Sequence, residues 1–413
     1  MRIIEPLMLE SIKKKHRPRR FVRIFLLILV ALLIGYGAIA YTNPLPPISP
    51  VMTAKLDLVN EPVPIPWSAQ GQAAIGAQGY GVLSETPHQK ALPMASVAKV
   101  FTAYMILKKR PLERGAIGPG ITITNADIDI YNHYITLGGS VLPVFVGQQF
   151  SQYQALQALL LPSANNIADL LGNWAYGSVY DYSVAANAEL KVLGLRDTHI
   201  ADASGFSSET VSTPHDLVLL GAIVLANPVI AQIVDLPRIQ LPAVGTVANT
   251  NKLVENPEII GIKTGHTNES GGCFLFAARH KVVPGEFVTV IGAIMAAPDI
   301  ITALDGAMPL LEATYRGFAE VTLIKSGQKI GEYRIPWGGR VNVVAQADVR
   351  EVLWKGTKPT ITSGLESIDG PRKINDEVGR LSIDGGPLKV SIPVVLDQAV
   401  ISPSIKWRAT RIF

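Results

Sequence analysis

The chain has 413 residues, of which 48% are hydrophobic and 17% are charged. This balance excludes a chain that is disordered throughout, and the length is sufficient for two globular domains. The net charge of +4 comes from the N-terminus, where residues 1–23 hold eight Lys or Arg and two Asp or Glu. The rest of the chain is close to neutral, so we expect no nucleic-acid partner.

A basic cluster, KKKHRPRR, precedes an uncharged run from Ile24 to Tyr41. This run is long enough to cross a bilayer as a helix, and the positive charges before it predict a cytoplasmic N-terminus. We therefore expect a cytoplasmic tail over residues 1–23 and an uncleaved, single-pass anchor in the cell membrane over residues 24–42. A cleaved signal peptide remains an alternative, because AIA at residues 38–40 has the small-x-small form of a cleavage site. Cleavage would make the protein secreted.

The remaining chain divides into a linker and two regions of different texture. Residues 43–66 are rich in proline, which predicts an extended, semi-rigid linker. Residues 67–318 begin with helical patterns and end with β-rich runs, which predicts an α+β domain whose helices pack on an antiparallel sheet. Residues 319–413 contain short β-type runs between Gly and Asp turns, which predicts a small all-β domain.

Individual elements can be predicted within residues 67–318. Apolar residues recur at helical spacing in several stretches, and alternating or continuous apolar runs indicate strands in others. Helices are predicted over 95–109, 153–161 and 215–227, another is predicted to start near Ile167, and strands are predicted over 73–83 and in a hairpin of GCFLFAARH and EFVTVIGAIMA.

The sequence contains few residues that suit a metal site. Cys273 is the single cysteine, and its apolar neighbours predict a buried, small hydrophobic side chain. The seven histidines are scattered and form no His-x-x-x-His pair. We therefore expect neither a metal nor another cofactor.

Ser96 and Lys99 form a Ser-x-x-Lys motif at the start of the predicted helix 95–109. Positions three apart share a helix face, so the Lys99 amine can lie beside the Ser96 hydroxyl and act as its base. The helix start adds free backbone N–H groups that favour negative charge. The same spacing occurs at Ser11 and Ser326 without a helix start, so the spacing alone is not specific.

Two further triplets have possible chemical roles. SAN at residues 163–165 directly follows Pro162, where a Ser or Asn could equally serve as a helix cap. KTG at residues 263–265 ends an apolar run and precedes a histidine, so it is either an ordinary turn or one wall of a carboxylate site. The presence of all three motifs in this order favours a nucleophilic hydrolase.

The three motifs resemble the S-x-x-K, S-x-N-type and K-T-G set of penicillin-binding proteins and class A β-lactamases. Longer stretches resemble the low-molecular-mass D-alanyl-D-alanine carboxypeptidases, namely ALPMASVAKVFTAYMIL, LLLPSANNIADLL, ASGFSSETVSTPHDLVLL, the NTN run at residues 249–251 and GIKTGHTNESGGCFLFAA. The likeness covers about residues 70–318 and is fainter in the β segment that follows. It implies a β-lactamase/transpeptidase-like catalytic domain that removes the terminal D-alanine from peptidoglycan stem peptides and that β-lactams inhibit covalently.

The resemblance implies catalytic roles for three residues. Ser96 would attack the carbonyl of the penultimate D-alanine and form an acyl-enzyme. Lys99 would be the base, kept neutral by a cationic Lys263 and by burial. Ser163 would relay the proton to the leaving amine, and Asn165 would hold Lys99 and the substrate amide.

The resemblance also implies how the substrate is bound. Lys263 would bind the terminal carboxylate with help from the Thr264 hydroxyl, and Gly265 would let the substrate backbone approach the strand. The oxyanion hole would consist of the backbone N–H groups of Ser96 and His266.

Other functions are compatible with parts of this pattern. A class A β-lactamase would need a glutamate for deacylation, and no Glu-x-x-Leu-Asn run follows Ser163. An endopeptidase that cuts peptidoglycan crosslinks would use the same residues, so that alternative stays open. An inactive peptidoglycan-binding module would have no need for intact Ser96, Lys99, Ser163 and Lys263. The ending SIKWRATRIF is too short for the C-terminal amphipathic helix of many relatives, so the N-terminal helix would hold the membrane.

Overall fold

The computed structural model describes residues 18–56, residue 61 and residues 63–411. Residues 1–17 of the predicted cytoplasmic tail lie outside the described residues. Helix α1 (Pro18–Thr42) contains the predicted anchor, and its segment Arg20–Thr42 is long and apolar enough to cross a membrane. A signal sequence has the same properties, so both alternatives for this segment remain.

Short strand β1 (Pro50–Met52) follows α1, and the α+β region then begins. Its helices are α2 (Ala98–Lys109), α3 (Asn125–Thr136), α4 (Gln152–Leu160), α5 (Asn165–Tyr176), α6 (Val179–Leu193), α7 (Pro214–Leu225), α8 (Pro228–Val234) and α9 (Ile300–Tyr315), with 3₁₀ helices over Ala95–Val97 and Lys252–Glu255. Its strands are β2 (Gln72–Ala77), β3 (Gly81–Glu85), β4 (Leu92–Pro93), β5 (Gly120–Thr122), β6 (Gln149–Ser151), β7 (Val211–Ser212), β8 (Arg238–Leu241), β9 (Gly245–Ala248), β10 (Ile259–Thr267), β11 (Gly271–Val283) and β12 (Glu286–Ala297).

Five of these strands form an antiparallel sheet in the order β10-β11-β12-β2-β3. Side chains alternate between the two faces of a strand, so β11 directs Leu275 to one face and Phe274 and Phe276 to the other. Leu275 belongs to the larger core, which contains residues of α2, α4, α5 and α7. Phe274 and Phe276 pack with residues of α9. Helices therefore cover both faces of an antiparallel sheet, and the predicted α+β class is confirmed.

The prediction of one strand over residues 73–83 is wrong. The structure has two strands here, β2 and β3, which pair with each other. The chain reverses between them at Gly79 and Gly81, whose φ angles of 83° and 71° lie in the region that glycine enters without a steric cost. These glycines therefore make a hairpin of what the apolar pattern alone presents as one strand.

The β region that follows contains β13 (Phe318–Ile324), β14 (Lys329–Arg334), β15 (Arg340–Ala345), β16 (Val349–Trp354), β17 (Thr360–Leu365), β18 (Glu377–Gly385), β19 (Leu388–Leu396) and a short helix, α10 (Ile405–Thr410). Six strands form one sheet in the order β1-β14-β15-β19-β18-β17, while β13 pairs with β16. The predicted boundary at residue 318 falls at the start of β13. Trp354 packs against Phe318, with ring centroids 5.3 Å apart, in the core on the α9 side of the larger sheet.

Part of the predicted linker is an edge strand of the β region. Strand β1 pairs antiparallel with β14, with Pro50 opposite Tyr333. Ile48 is buried and forms a β-bridge with Ile368. Proline is tolerated on an edge strand, because the backbone N–H that it lacks would face solvent there and would pair with no other strand. The apolar residue Ile48, between two prolines, supplies the buried contact. Residues 48–52 are therefore attached to the β region by strand pairing and by buried Ile48, and they do not form a free spacer.

Candidate active site

Ser96 lies in the 3₁₀ helix Ala95–Val97, which leads directly into α2. The preceding residue, Ala95, has a φ of 47°, in the left-handed region that residues with a side chain rarely adopt. Ser96 is half-buried and lines a cleft of about 410 Å³. The cleft is also lined by Leu137, Gly138, Gly139, Ser140, Asn165, Gly205, Phe206, Ser208, His266, Thr267, Asn268 and Glu269.

Lys99 is fully buried and its amine contacts three oxygen atoms. Its Nζ lies 2.8 Å from Ser96 Oγ, 2.7 Å from Asn165 Oδ1 and 2.7 Å from the carbonyl oxygen of Ser204. An amide oxygen and a carbonyl oxygen can only accept hydrogen bonds. A neutral amine therefore donates both its protons to Asn165 and Ser204, which leaves its lone pair for the Ser96 hydroxyl.

The pKa of Lys99 is suited to this arrangement. Burial lowers it from 10.5 to about 7, against the opposing effect of the Asp202 and Asp169 carboxylates, which raise it. Lys263 is also fully buried, and its pKa is lowered well below the usual value by burial first and then by the charge of Lys99. Burial, rather than a cationic Lys263, is thus the main reason why Lys99 can be neutral near pH 7.

Ser163 lies in the turn between α4 and α5 and is buried. Its φ of 66° places it in the left-handed region, where strain is often found at functional residues. Its hydroxyl oxygen has no hydrogen-bond partner among the described residues. A buried hydroxyl without a partner is costly, so this one is free to bond to a substrate or a water molecule.

Lys263 and Thr264 lie on strand β10 and share a partner, Thr250. Lys263 Nζ donates to Thr250 Oγ1 at 3.3 Å and to the Thr264 carbonyl oxygen at 3.0 Å, while Thr264 Oγ1 donates to Thr250 Oγ1 at 2.8 Å. Thr250 is exposed between buried Asn249 and Asn251. The Asn249 amide donates to backbone carbonyl oxygens at the end of α8 and its oxygen accepts from the Asn251 backbone, while the Asn251 side chain accepts from the backbone two residues further on. The two asparagines therefore fix the turn that presents Thr250 to Lys263.

Gly265 packs directly against the turn that carries Ser96. A Cβ atom at Gly265 would lie 2.9 Å from Ser96 N, 3.0 Å from Ala95 Cβ and 3.0 Å from the Met94 carbonyl oxygen. The resemblance assigned this glycine to the approach of the substrate backbone, and the structure gives it a further role in seating the Ser96 turn. His266, the next residue, is exposed and lines the cleft.

The structure also brings together residues to which sequence reasoning assigned no role. Ser204 contributes its carbonyl oxygen to Lys99, and Gly205 contacts the Ser96 turn so closely that a Cβ would lie 1.9 Å from the Ala95 carbonyl oxygen. Asp202 accepts hydrogen bonds from the Ser204 hydroxyl at 2.6 Å and from the Phe206 backbone at 2.9 Å, which shapes this loop. In the sequence, Ser204, Gly205 and Phe206 belong to the ASGF stretch at positions 203–206. The resemblance included this stretch but implied no role for its individual residues.

Comparison with known proteins identifies a matching family. The model of the D-alanyl-D-alanine carboxypeptidase family, peptidase S11, matches residues 60–297. The chain is 25% identical to the D-alanyl-D-alanine carboxypeptidase DacD of Salmonella typhimurium over 78% of this chain and 83% of that protein. It is 32% identical to the D-alanyl-D-alanine endopeptidase of Haemophilus influenzae over 50% of this chain and 71% of that protein.

A solved structure shares the fold. Penicillin-binding protein 5 from Haemophilus influenzae superposes with a TM-score of 0.59 at 18% identity, over 82% of this chain and 100% of that chain. The family match spans more than half of the present sequence, and the Ser-x-x-Lys, Ser-Ala-Asn and Lys-Thr-Gly motifs all lie within it. The chain belongs to the D-alanyl-D-alanine carboxypeptidase family of serine peptidases.

Proposed function

We propose that this carboxypeptidase acts through an acyl-enzyme on Ser96, with Lys99 as the base. The observation that carries the proposal is the contact set of the Lys99 amine, whose Nζ lies 2.7 Å from the Asn165 and Ser204 acceptors and 2.8 Å from Ser96 Oγ. In its neutral form this amine has only its lone pair left for the Ser96 hydroxyl. Ser96 Oγ attacks the carbonyl carbon of the penultimate D-alanine while its proton moves to Lys99.

Collapse of the tetrahedral intermediate breaks the bond to the terminal D-alanine. The leaving nitrogen needs a proton, and the buried, unpartnered hydroxyl of Ser163 is suited to pass it on from Lys99. A water molecule then hydrolyses the ester, with Lys99 again as the base, which frees the shortened peptide and restores Ser96. The backbone N–H groups of Ser96 and His266 would stabilise the oxyanion in both steps.

Lys263 and Thr264 are proposed to bind the terminal carboxylate of the substrate. Burial and the charge of Lys99 lower the pKa of Lys263, so its own charge is unfavourable without an anion beside it. A carboxylate placed beside this amine favours the ammonium form and raises the pKa again. Binding of the anionic end of the substrate is therefore coupled to protonation of Lys263, which favours ligands that end in a carboxylate. Penicillins carry one too, which supports β-lactams as covalent inhibitors.

Cleavage of peptidoglycan crosslinks is the second candidate activity. It is supported by the identity of 32% to the Haemophilus influenzae endopeptidase over half of this chain. The same nucleophile and base would serve both reactions, so the difference lies in the peptide that the cleft accepts. Release of D-alanine from a monomeric stem peptide, compared with cleavage of a crosslinked dimer, separates the two activities.

We also propose that α1 holds the protein in the cell membrane, with the N-terminus in the cytoplasm and the active site outside. Helix α10 and Arg411 contact the C-terminal end of α1 and the residues that follow it. Arg408 donates to the Tyr41 carbonyl oxygen at 2.7 Å, and Arg411 donates to the Pro44 carbonyl oxygen at 3.0 Å. Aromatic and basic residues are common at the membrane interface, so α10 would lie at the surface of the bilayer without spanning it.

Intact-protein mass spectrometry after incubation with a penicillin tests the acyl-enzyme. The native protein should gain the mass of one penicillin, and a Ser96→Ala variant with the same melting temperature should gain none. D-alanine release from a stem peptide ending in D-Ala-D-Ala should show the same dependence on Ser96. Adduct formation on Ser96→Ala, or a native protein that neither forms an adduct nor hydrolyses penicillin, would overturn the proposal.

A further inference from the structure

A buried carboxyl group lies behind the base, in a place that the proposed reaction does not use. Asp169 is on α5, one helical turn after Asn165, whose side chain bonds to Lys99. Its Oδ2 accepts a hydrogen bond from the Tyr134 hydroxyl at 3.0 Å. Its Oδ1 is buried and has no hydrogen-bond partner within the described part of the chain.

Asp169 is connected to Lys99 by two routes. The first is α5 itself, because Asn165 and Asp169 share one face of the helix. The second runs through the Tyr134 hydroxyl, which lies 3.4 Å from Ser204 Oγ, and Ser204 accepts from Lys99 through its carbonyl oxygen at 2.7 Å. A substitution at Asp169 can therefore displace Asn165 and Ser204, the two acceptors that orient the Lys99 amine. It also changes the electrostatic stabilisation of the charge on that amine.

Several charged or titratable groups face this carboxyl. They are the Tyr134 hydroxyl from α3, Asp202 from the loop before α7, and Lys99 from α2, with Lys263 beyond it. Burial raises the pKa of Asp169 to about 7, the hydrogen bond from Tyr134 and the charge of Lys99 lower it, and the charge of Asp202 raises it. The carboxylate in turn raises the pKa of Lys99.

We propose that Asp169 is a positioning residue that sets the basicity of Lys99, because its carboxylate stabilises the ammonium that Lys99 becomes when it takes the Ser96 proton. The inference rests on the proposed role of Lys99 as base. A neutral polar side chain in the same place would fill the space and keep the helix packing, but it would supply no charge. Charge, and not shape, is therefore the property to test.

The sign of the effect follows from the charges. Acylation needs neutral Lys99, so its rate rises as the pH increases through the pKa of that amine. Without the anion at Asp169 the ammonium is less stable and the pKa of Lys99 falls. The acid limb of the rate profile then moves to lower pH, while the rate at its plateau falls because the amine is a weaker base.

The experiment measures the second-order rate constant for acylation by a fluorescent penicillin between about pH 5 and pH 9, using the full chain. Asp169→Asn should move the midpoint of the acid limb down by about half a pH unit or more. Tyr134→Phe removes the hydrogen bond that lowers the pKa of Asp169 and so favours its carboxylate, and it should therefore move the midpoint in the same direction. An unchanged midpoint in the folded Asp169→Asn variant, with or without a lower rate, would overturn the inference.

Two controls keep the interpretation clear. Asp216 is a buried carboxyl with a raised pKa that accepts from Thr198 Oγ1 and the Asp197 backbone, remote from Lys99 in the hydrogen-bond network. Asp216→Asn should leave the midpoint unchanged, and an equal shift there would refute a specific role for Asp169. If Asp169→Asn does not fold, the midpoint of Tyr134→Phe alone tests the inference. An unchanged midpoint in that variant would overturn it. Acylation of Lys99→Ala at the native rate would instead refute the proposed base.

Discussion

Substitution of Gly265 by alanine tests whether strand β10 seats the nucleophile. Gly265 has no positive φ, so alanine fits its backbone conformation and only the added Cβ atom matters. That atom would approach Ser96 N to 2.9 Å, and Ala95 Cβ and the Met94 carbonyl oxygen to 3.0 Å. All three neighbours belong to the turn that carries the nucleophile, and none is the end of a flexible side chain.

The size of the effect follows from these distances. Ordinary van der Waals contact begins at 3.4 Å, so the Ser96 turn and β10 must separate by about half an ångström. Overpacking of this kind costs about 1–3 kcal/mol of stability. A misplacement of 1 Å in an active site can cost about 100-fold in rate, so we expect acylation of Gly265→Ala to be about 10- to 100-fold slower.

The assay is the rate of acylation by a fluorescent penicillin, measured together with the thermal melting curve. Gly172→Ala is the matched control, because the nearest atoms to its Cβ lie at 3.6, 3.7 and 3.8 Å and the residue is inside helix α5. It should keep the native rate and gain about 0.5–1 kcal/mol of stability.

Acylation of a folded Gly265→Ala variant by penicillin at the native rate would refute this reasoning. If the same variant hydrolysed peptide substrates more slowly, the glycine would be assigned to substrate approach alone and the Ser96 turn would be undisturbed.

Three further substitutions test separate parts of the structure. Ser163→Ala should slow acylation about 10²- to 10⁴-fold without lowering the melting temperature, since the lost hydroxyl has no partner in the described structure; a large drop in melting temperature would contradict this. Thr250→Val removes the shared partner of Lys263 and Thr264, so KM for a D-Ala-D-Ala peptide should rise about tenfold with less change in kcat. Trp354→Ala should lower the free energy of unfolding by about 3–5 kcal/mol in urea titrations, because this buried ring fills the core beside α9.

The fold class was predictable where its signals are local. Helix α7 begins at Pro214, after Thr213, whose side chain accepts from the Asp216 backbone, and this start was visible in the sequence. Helix α3 was not predicted, because Tyr134 is its one buried residue and it therefore has no apolar stripe. Helix α9 contains Pro309, which disguises its pattern. The pairing of β2 with β12 joins segments more than 200 residues apart, and no local pattern encodes it.

The site was predictable to a different extent in each of its parts. Ser96 and Lys99 are three residues apart at a helix start, so local geometry alone brings them within hydrogen-bond distance. The roles assigned to Ser163, Asn165, Lys263 and the residues after it came from resemblance, and they stay predictions until the variants are measured. Spacing alone does not place Asn165 against Lys99, because the two residues lie 66 positions apart on different helices.

The orientation of the Lys99 amine depends on groups that a motif search does not detect. Ser204 acts on Lys99 through its backbone carbonyl, which every residue type possesses, so side-chain identity carries no trace of that contact. The lowered pKa of Lys99 comes from burial by α2, α5 and the loop around Gly205, which is a property of the folded chain. A neutral amine that is bonded to two acceptors can meet the Ser96 hydroxyl in one way only, with its lone pair. The motif brings Ser96 and Lys99 together, and burial in the folded chain sets how readily the Lys99 amine is protonated.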